Sequence, residues 1–108
     1  MNSAYSLRKD ICEVGRRVYQ RGFVAANDGN ISIRLEEDRV LCTPTGVSKG
    51  YLNEDMLAIC DMDGEQVTGS MNISSEIRMH IEIYKMRSDI SAVVHAHPPT
   101  ATGFAVAG

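Results

Sequence analysis

The 108-residue chain has no tryptophan, no run of basic residues, no paired cysteines and no long apolar stretch near its start. Each absence excludes something. The formal charge of −3, with Lys and Arg scattered, leaves no electrostatic footprint for nucleic acid. Cys12, Cys42 and Cys60 are odd in number and lack Cys-x-x-Cys spacing, which argues against a disulfide framework and a zinc ribbon and suits a reducing compartment. Without a long apolar segment the chain reads as carrying neither a signal peptide nor a membrane span, so a cytoplasmic location is expected. Internal repeats, low-complexity stretches and linkers are also missing. At this length the chain is at most one domain, large enough for a core but small for a complete metabolic enzyme.

What is present is an ordinary globular composition, 44% hydrophobic and 23% charged. Leu7, Ile11, Val14 and Val18 recur at helical spacing, which predicts a helix over Ser6 to Gln20, ended by a glycine cap at Gly22. The alternation Ile31-Ser32-Ile33-Arg34-Leu35 predicts a half-buried strand. Val40-Leu41-Cys42-Thr43 is its antiparallel partner across a polar turn. Thr43-Pro44-Thr45-Gly46 reads as a turn, Asn53 to Met56 as one helical turn, and Leu57 to Cys60 as a strand. Asp63-Gly64 signals a hairpin toward Gln66-Val67. A second helix is predicted from about Ser75 to Met86. Ile77, His80, Ile81 and Tyr84 form one stripe, widened by Met79, Ile83 and Met86, so this helix should lie mostly covered.

The chemistry gathers around Ala92-Val93-Val94-His95-Ala96-His97-Pro98. A β-branched run reads as a strand, and alternation then points His95 and His97 the same way, as a pair able to grip one divalent cation. Two half-buried, hydrogen-bonded histidines are the plainer alternative. Glu76 sits at the start of the second helix, where the dipole alone would favour a carboxylate; beside a metal it could act as a general base α to a carbonyl. His80 falls within the apolar stripe and reads as a satisfied core histidine. Gly29-Asn30, Thr45-Gly46 and Ser74-Ser75 each set small polar side chains beside exposed amides. Separately they are turn and cap residues; together they would make a phosphate cradle, the last at a helix N-terminus.

In order along the chain, Gly-Asn-Ile-Ser-Ile-Arg, Thr-Pro-Thr-Gly, Ser-Ser-Glu with His80 and Tyr84, and Val-Val-His-Ala-His resemble the class II aldolase/adducin family, from roughly Ile11 to Gly108. The resemblance implies an α/β fold, a three-layer α/β/α sandwich around a mostly antiparallel sheet. It implies zinc-dependent cleavage of a phosphorylated ketose, of the fuculose 1-phosphate type, into dihydroxyacetone phosphate and an aldehyde. His95 and His97 would be ligands of one Zn2+ per subunit. Glu76 would be the acid/base, also touching zinc when substrate is absent. Gly29, Asn30, Thr45, Gly46, Ser74 and Ser75 would hold the phosphate. The family's third histidine ligand and a late tyrosine cannot be located in this sequence. The uncharged Thr100 to Gly108 run, which wants burial, adds to the expectation that 1–108 is an incomplete domain. Alone it should bind zinc poorly and be inactive, the longer parent being the enzyme. Family epimerases carry Asp where Glu76 stands, so Glu favours an aldolase. Dehydratases, decarboxylases and a non-catalytic, protein-binding adducin-like module remain alternatives. A homotetramer is implied, with no nucleic acid or membrane partner.

Overall fold

The computed structural model describes residues 4–21 and 29–95. Helix α1 (Ala4–Gln20) is followed by strands β1 (Asn30–Leu35), β2 (Arg39–Cys42), β3 (Ala58–Asp61) and β4 (Gln66–Thr68), then helix α2 (Ile77–Met86) and strand β5 (Ala92–His95). Short 3-10 turns occupy Lys49–Tyr51 and Glu54–Met56. The strands form one sheet in the order β4-β3-β2-β1-β5, every neighbouring pair antiparallel.

Alternation along the strands builds two cores, one on each face. Ile31, Ile33, Leu35, Leu41, Leu57 and Ile59 pack against Leu7, Ile11, Cys12 and Val14 of α1. Val40, Cys42, Ala58, Cys60 and Val93 lie on the other face, under Ile77, Ile81 and Tyr84 of α2. Leu41 and its neighbours Val40 and Cys42 thus serve opposite layers, as successive strand residues must. That is why β2 and the start of β3 read as unbroken apolar runs: both faces are covered. Each fully buried aliphatic side chain of this kind contributes about 1.5–3 kcal/mol. The result is a three-layer arrangement, α1 over the sheet over α2.

Several expectations need correction. Helix α2 begins at Ile77, not Ser75, and Glu76 stands at the cap position. The chain turns tightly there: Ile77, Arg78 and Met79 donate to the carbonyls of Ser74, Ser75 and Glu76, while Glu76 N–H donates to Ser74 Oγ at 3.1 Å. Nor is α2 mostly covered, since Met79 is 41% and Met86 80% exposed. The stripe that is buried is the narrower one, Ile77, His80, Ile81 and Tyr84. The 3-10 turn at Lys49–Tyr51 was not foreseen. Helix α1 presses on it so closely that a Cβ at Gly15 would lie 2.5 Å from the Lys49 carbonyl oxygen. The β1–β2 turn carries Glu37 and Asp38 at φ 60° and 57°. The cap at Gly22, the histidine at His97 and the run from Thr100 lie outside the described residues.

Candidate functional site

Strand pairing brings four chain segments to one end of the sheet. Asn30, the first residue of β1, is paired with His95, the last of β5. β2 runs antiparallel to β1 and so finishes at the same end, where Thr43 N–H donates to the Ile31 carbonyl at 3.1 Å. The Pro44-Thr45-Gly46 turn that follows is tied to the segment before α2. Pro44 bridges Ile73, and Thr45 N–H donates to the Asn72 carbonyl at 2.9 Å. Ser74, Ser75 and Glu76 come next along that segment.

At the centre of this end, Glu76 Oε2 lies 3.1 Å from His95 Nδ1 and also accepts a hydrogen bond from the Asn30 amide. Asn30 is buried, whereas the Glu76 side chain is about half exposed. An ionised carboxylate only accepts, so His95 carries its proton on Nδ1 in this contact, which sets a neutral ring's lone pair on Nε2. Imidazole nitrogen and carboxylate oxygen are donor types that zinc takes, but the Nε2 lone pair faces away from Glu76 in this contact, so an ion shared by the two would have to replace the Nδ1–H hydrogen bond. Among the described residues no group of three or more His, Cys, Asp or Glu side chains converges. His97, expected to be the third such donor, lies outside them.

Behind this pair is a buried polar stripe. Asn30, Ser32 and Arg34 share one face of β1, and Glu76, His80 and Tyr84 follow at one-turn intervals along α2. Ser32 Oγ is 2.6 Å from His80 Nδ1 and 2.7 Å from the Tyr84 hydroxyl. Arg34 Nη2 donates to the Tyr84 carbonyl at 2.9 Å, and its guanidinium sits 5.2 Å from the centre of the Tyr84 ring. Burial pushes the His80 imidazole down to about 4; His95 adds to the effect and Glu76 opposes it. Burial likewise raises the Tyr84 phenol. His80 is thus a core histidine, but a half-satisfied one: Nδ1 is bonded, while Nε2 is buried with no partner among the described residues. Ser32 has no site role in the sequence reading, which takes it only as a polar position of a half-buried strand. The sequence does show polar residues at period two in β1 and at period four in α2, but only the packing of strand and helix shows that the two faces meet.

Of the expected phosphate residues, Thr45, Gly46 and Ser75 are exposed and Gly29 and Ser74 half-buried. Gly29 and Gly46 have φ of 94° and 76°, which lets the bare backbone face outward. A Cβ at Gly46 would meet nothing within 4 Å. The amides of Ile77, Arg78 and Met79 are already engaged, so an anion here would depend on the serines and the Thr45-Gly46 turn.

An antiparallel sheet with a carboxylate–imidazole pair at one end, covered by a helix on each face, defines the architectural class. The family model for the class II aldolase and adducin N-terminal domain matches residues 9–108, and the chain belongs to that family. It is 37% identical over 95 residues to an L-fuculose phosphate aldolase of Methanocaldococcus jannaschii, covering 88% of this chain and 51% of that one. It is 40% identical over 85 residues to a 3-oxo-tetronate 4-phosphate decarboxylase of Haemophilus influenzae (79% and 40% covered). A methylthioribulose-1-phosphate dehydratase of Granulibacter bethesdensis is 36% identical over 97 residues (90% and 45%). The solved structure of an L-fuculose 1-phosphate aldolase superposes with a TM-score of 0.84 at 28% identity, covering 97% of this chain and 49% of that one. The chain spans about half the length of the curated relatives it matches. Among the described residues no helix is long and apolar enough to cross a membrane.

Proposed function

We propose that this chain carries the acid/base and part of the metal and phosphate sites of a metal-dependent aldehyde-lyase. The substrate would be a phosphorylated ketose, cleaved to dihydroxyacetone phosphate and an aldehyde. The observation that carries the reading is the 3.1 Å contact between Glu76 and His95, with Asn30 on the same carboxylate oxygen. His95, His97 and Glu76 are the proposed holders of a Zn2+ ion, which when bound would supply Lewis acidity toward the ketose oxygens. Glu76 moves the proton at the carbon that becomes nucleophilic in the condensation direction. Its half-exposed carboxylate can reach a substrate carbon, while Asn30 and His95 keep one oxygen oriented. Gly29, Asn30, Thr45, Gly46, Ser74 and Ser75 bind the phosphate through hydroxyls, the Asn30 amide and backbone N–H groups, without a basic cluster.

Two relatives that act on other sugar phosphates, the decarboxylase and the dehydratase, share the same stretch with similar identity. Likeness over this stretch therefore does not choose among the three reactions, and Glu76 favours an aldolase only over the epimerases, which carry Asp there. A homotetramer in a reducing cytoplasm completes the proposal, supported by the exposed Met79 and Met86 and by three free, buried cysteines.

The test is to assay the chain, with any coding sequence that follows Gly108, against fuculose 1-phosphate, ribulose 5-phosphate and methylthioribulose 1-phosphate, alongside metal analysis. Aldehyde release from the first alone is expected, with about one zinc per subunit and a roughly 10²–10⁴-fold loss in Glu76→Gln. Full activity in the 108 residues alone would overturn the need for a further ligand. Turnover of none of the three, with capture of a protein partner, would favour the adducin-like module.

A further inference from the structure

We propose that Ser32, with His80 and Tyr84, forms a directional buried hydrogen-bond chain that positions Glu76 against His95. The idea builds on the reading of Glu76 as the acid/base. All three side chains are essentially excluded from water: Ser32 and His80 are 0% exposed and Tyr84 1%. Among the described residues the serine oxygen is the only atom bridging the other two, at 2.6 and 2.7 Å.

The direction follows from counting orphaned protons. If His80 Nδ1–H donated to Ser32 and Ser32 to Tyr84, the phenol proton would be left unpaired. His80 Nε2 would also be left as a buried lone pair. If Tyr84 donates to Ser32 and Ser32 to His80 Nδ1, a single group is left over, the Nε2–H of His80. Buried polar groups are satisfied wherever they can be, so the second arrangement holds. His80 is then fixed as the Nε2–H tautomer.

The chain matters to the site because it shares its two elements. Ser32 lies two residues beyond Asn30 on one face of β1, and His80 lies one turn beyond Glu76 on α2. The Asn30–Glu76 bond and the Ser32–His80–Tyr84 bonds are successive rungs between the same strand and the same helix. Removing the middle rung frees the start of α2 to shift, and Glu76 shifts with it. Ser32, His80 and Tyr84 are therefore positioning residues, acting through the carboxylate.

The experiment is histidine-selective 15N NMR on the chain with any coding sequence that follows it. The wild-type spectrum should show His80 protonated at Nε2 and unprotonated at Nδ1, and a hydrogen-bonded Nδ1–H on His95. In Ser32→Ala, His80 should exchange between tautomers and the His95 Nδ1–H cross-peak should be lost. Ser32→Thr, which keeps the hydroxyl, should restore both. If the alanine chain does not fold, Ser32→Cys, similar in shape but a far weaker donor, is read the same way. A wild-type His80 protonated at Nδ1 overturns the direction of the chain. A His95 cross-peak unchanged in the variant overturns the positioning role. Because these signals need no turnover, a wild type that shows them yet cleaves no sugar phosphate would count against the lyase reading alone.

Discussion

Acidification should weaken this fold first through His80. Its imidazole is held at about 4 by burial, against an ordinary value of 6.5 that it regains when the chain unfolds. A folded-state pKa below the unfolded one means that the unfolded chain binds more protons between those two values. Stability is therefore fully present above pH 6.5 and is lost as pH falls toward 4. At ~1.4 kcal/mol per tenfold change in proton affinity, the gap is worth roughly 3 kcal/mol, an upper bound. With a urea dependence of about 1–1.5 kcal/mol per molar for so short a chain, the midpoint should drop by about 2 M. Glu13, Asp61 and Asp89 are held below the ordinary carboxylate range, Glu13 by Arg16 and Arg17, Asp61 by backbone N–H groups and Asp89 by Arg87. They add a slope of the same sign, which for Glu13 sets in near its ordinary 4.5 and for the aspartates near 3.8. Urea titrations from pH 7.5 to 3.5 on wild type and His80→Gln separate the two contributions. The variant should be less stable at neutral pH but nearly flat from pH 6.5 down to about 5, where the carboxylates begin to contribute. An unchanged slope in His80→Gln would refute the reasoning.

Three further outcomes follow from backbone geometry. Gly15→Ala gains helix propensity but drives a Cβ to 2.5 Å from the Lys49 carbonyl oxygen, so it should lose about 1–2 kcal/mol net in thermal unfolding. Any rise in melting temperature would show that the helix and the 3-10 turn do not touch there. Glu37→Gly relieves a left-handed residue at φ 60° and should stabilise by up to about 1 kcal/mol, read by the same assay. Gly46→Ala, with φ 76° and open space around the new methyl, should cost about 1 kcal/mol in stability. In an activity assay it should raise KM for a sugar phosphate while leaving kcat near wild type, if the turn touches the phosphate.

Much of the architecture was legible in the chain because strand and helix periods are local properties. Ile31, Ile33 and Leu35 announced one face of β1, and Asp63-Gly64 announced the β3–β4 turn, whose Asp61 Oδ1 accepts from the amides of Asp63 and Glu65. Asn53 was readable as the start of a helical turn, and its side chain does accept from Asp55 N–H. Helix limits were harder to read. Ser75 looked like a first helical residue, but the chain makes a tight turn from Ser74 to Glu76 directly after Ile73, which is bridged to Pro44 far away in sequence, and the helix starts only at Ile77. Met79 and Met86 looked like core residues from periodicity alone, which cannot say how much of a helix its neighbours reach.

For the candidate site, the sequence alone determined which side chains could do chemistry and which of them share a face. His95 follows Val93 on one side of a strand, and Glu76, His80 and Tyr84 recur on one side of a helix. Only the tertiary structure decided that these two faces meet, because antiparallel pairing aligns Asn30 with His95 and the long crossover through α2 carries Glu76 over both. It also decided what Ser32 is. A polar residue in an alternating strand looks solvent-facing until a helix covers it, and the hydroxyl then serves both His80 and Tyr84 because water no longer can.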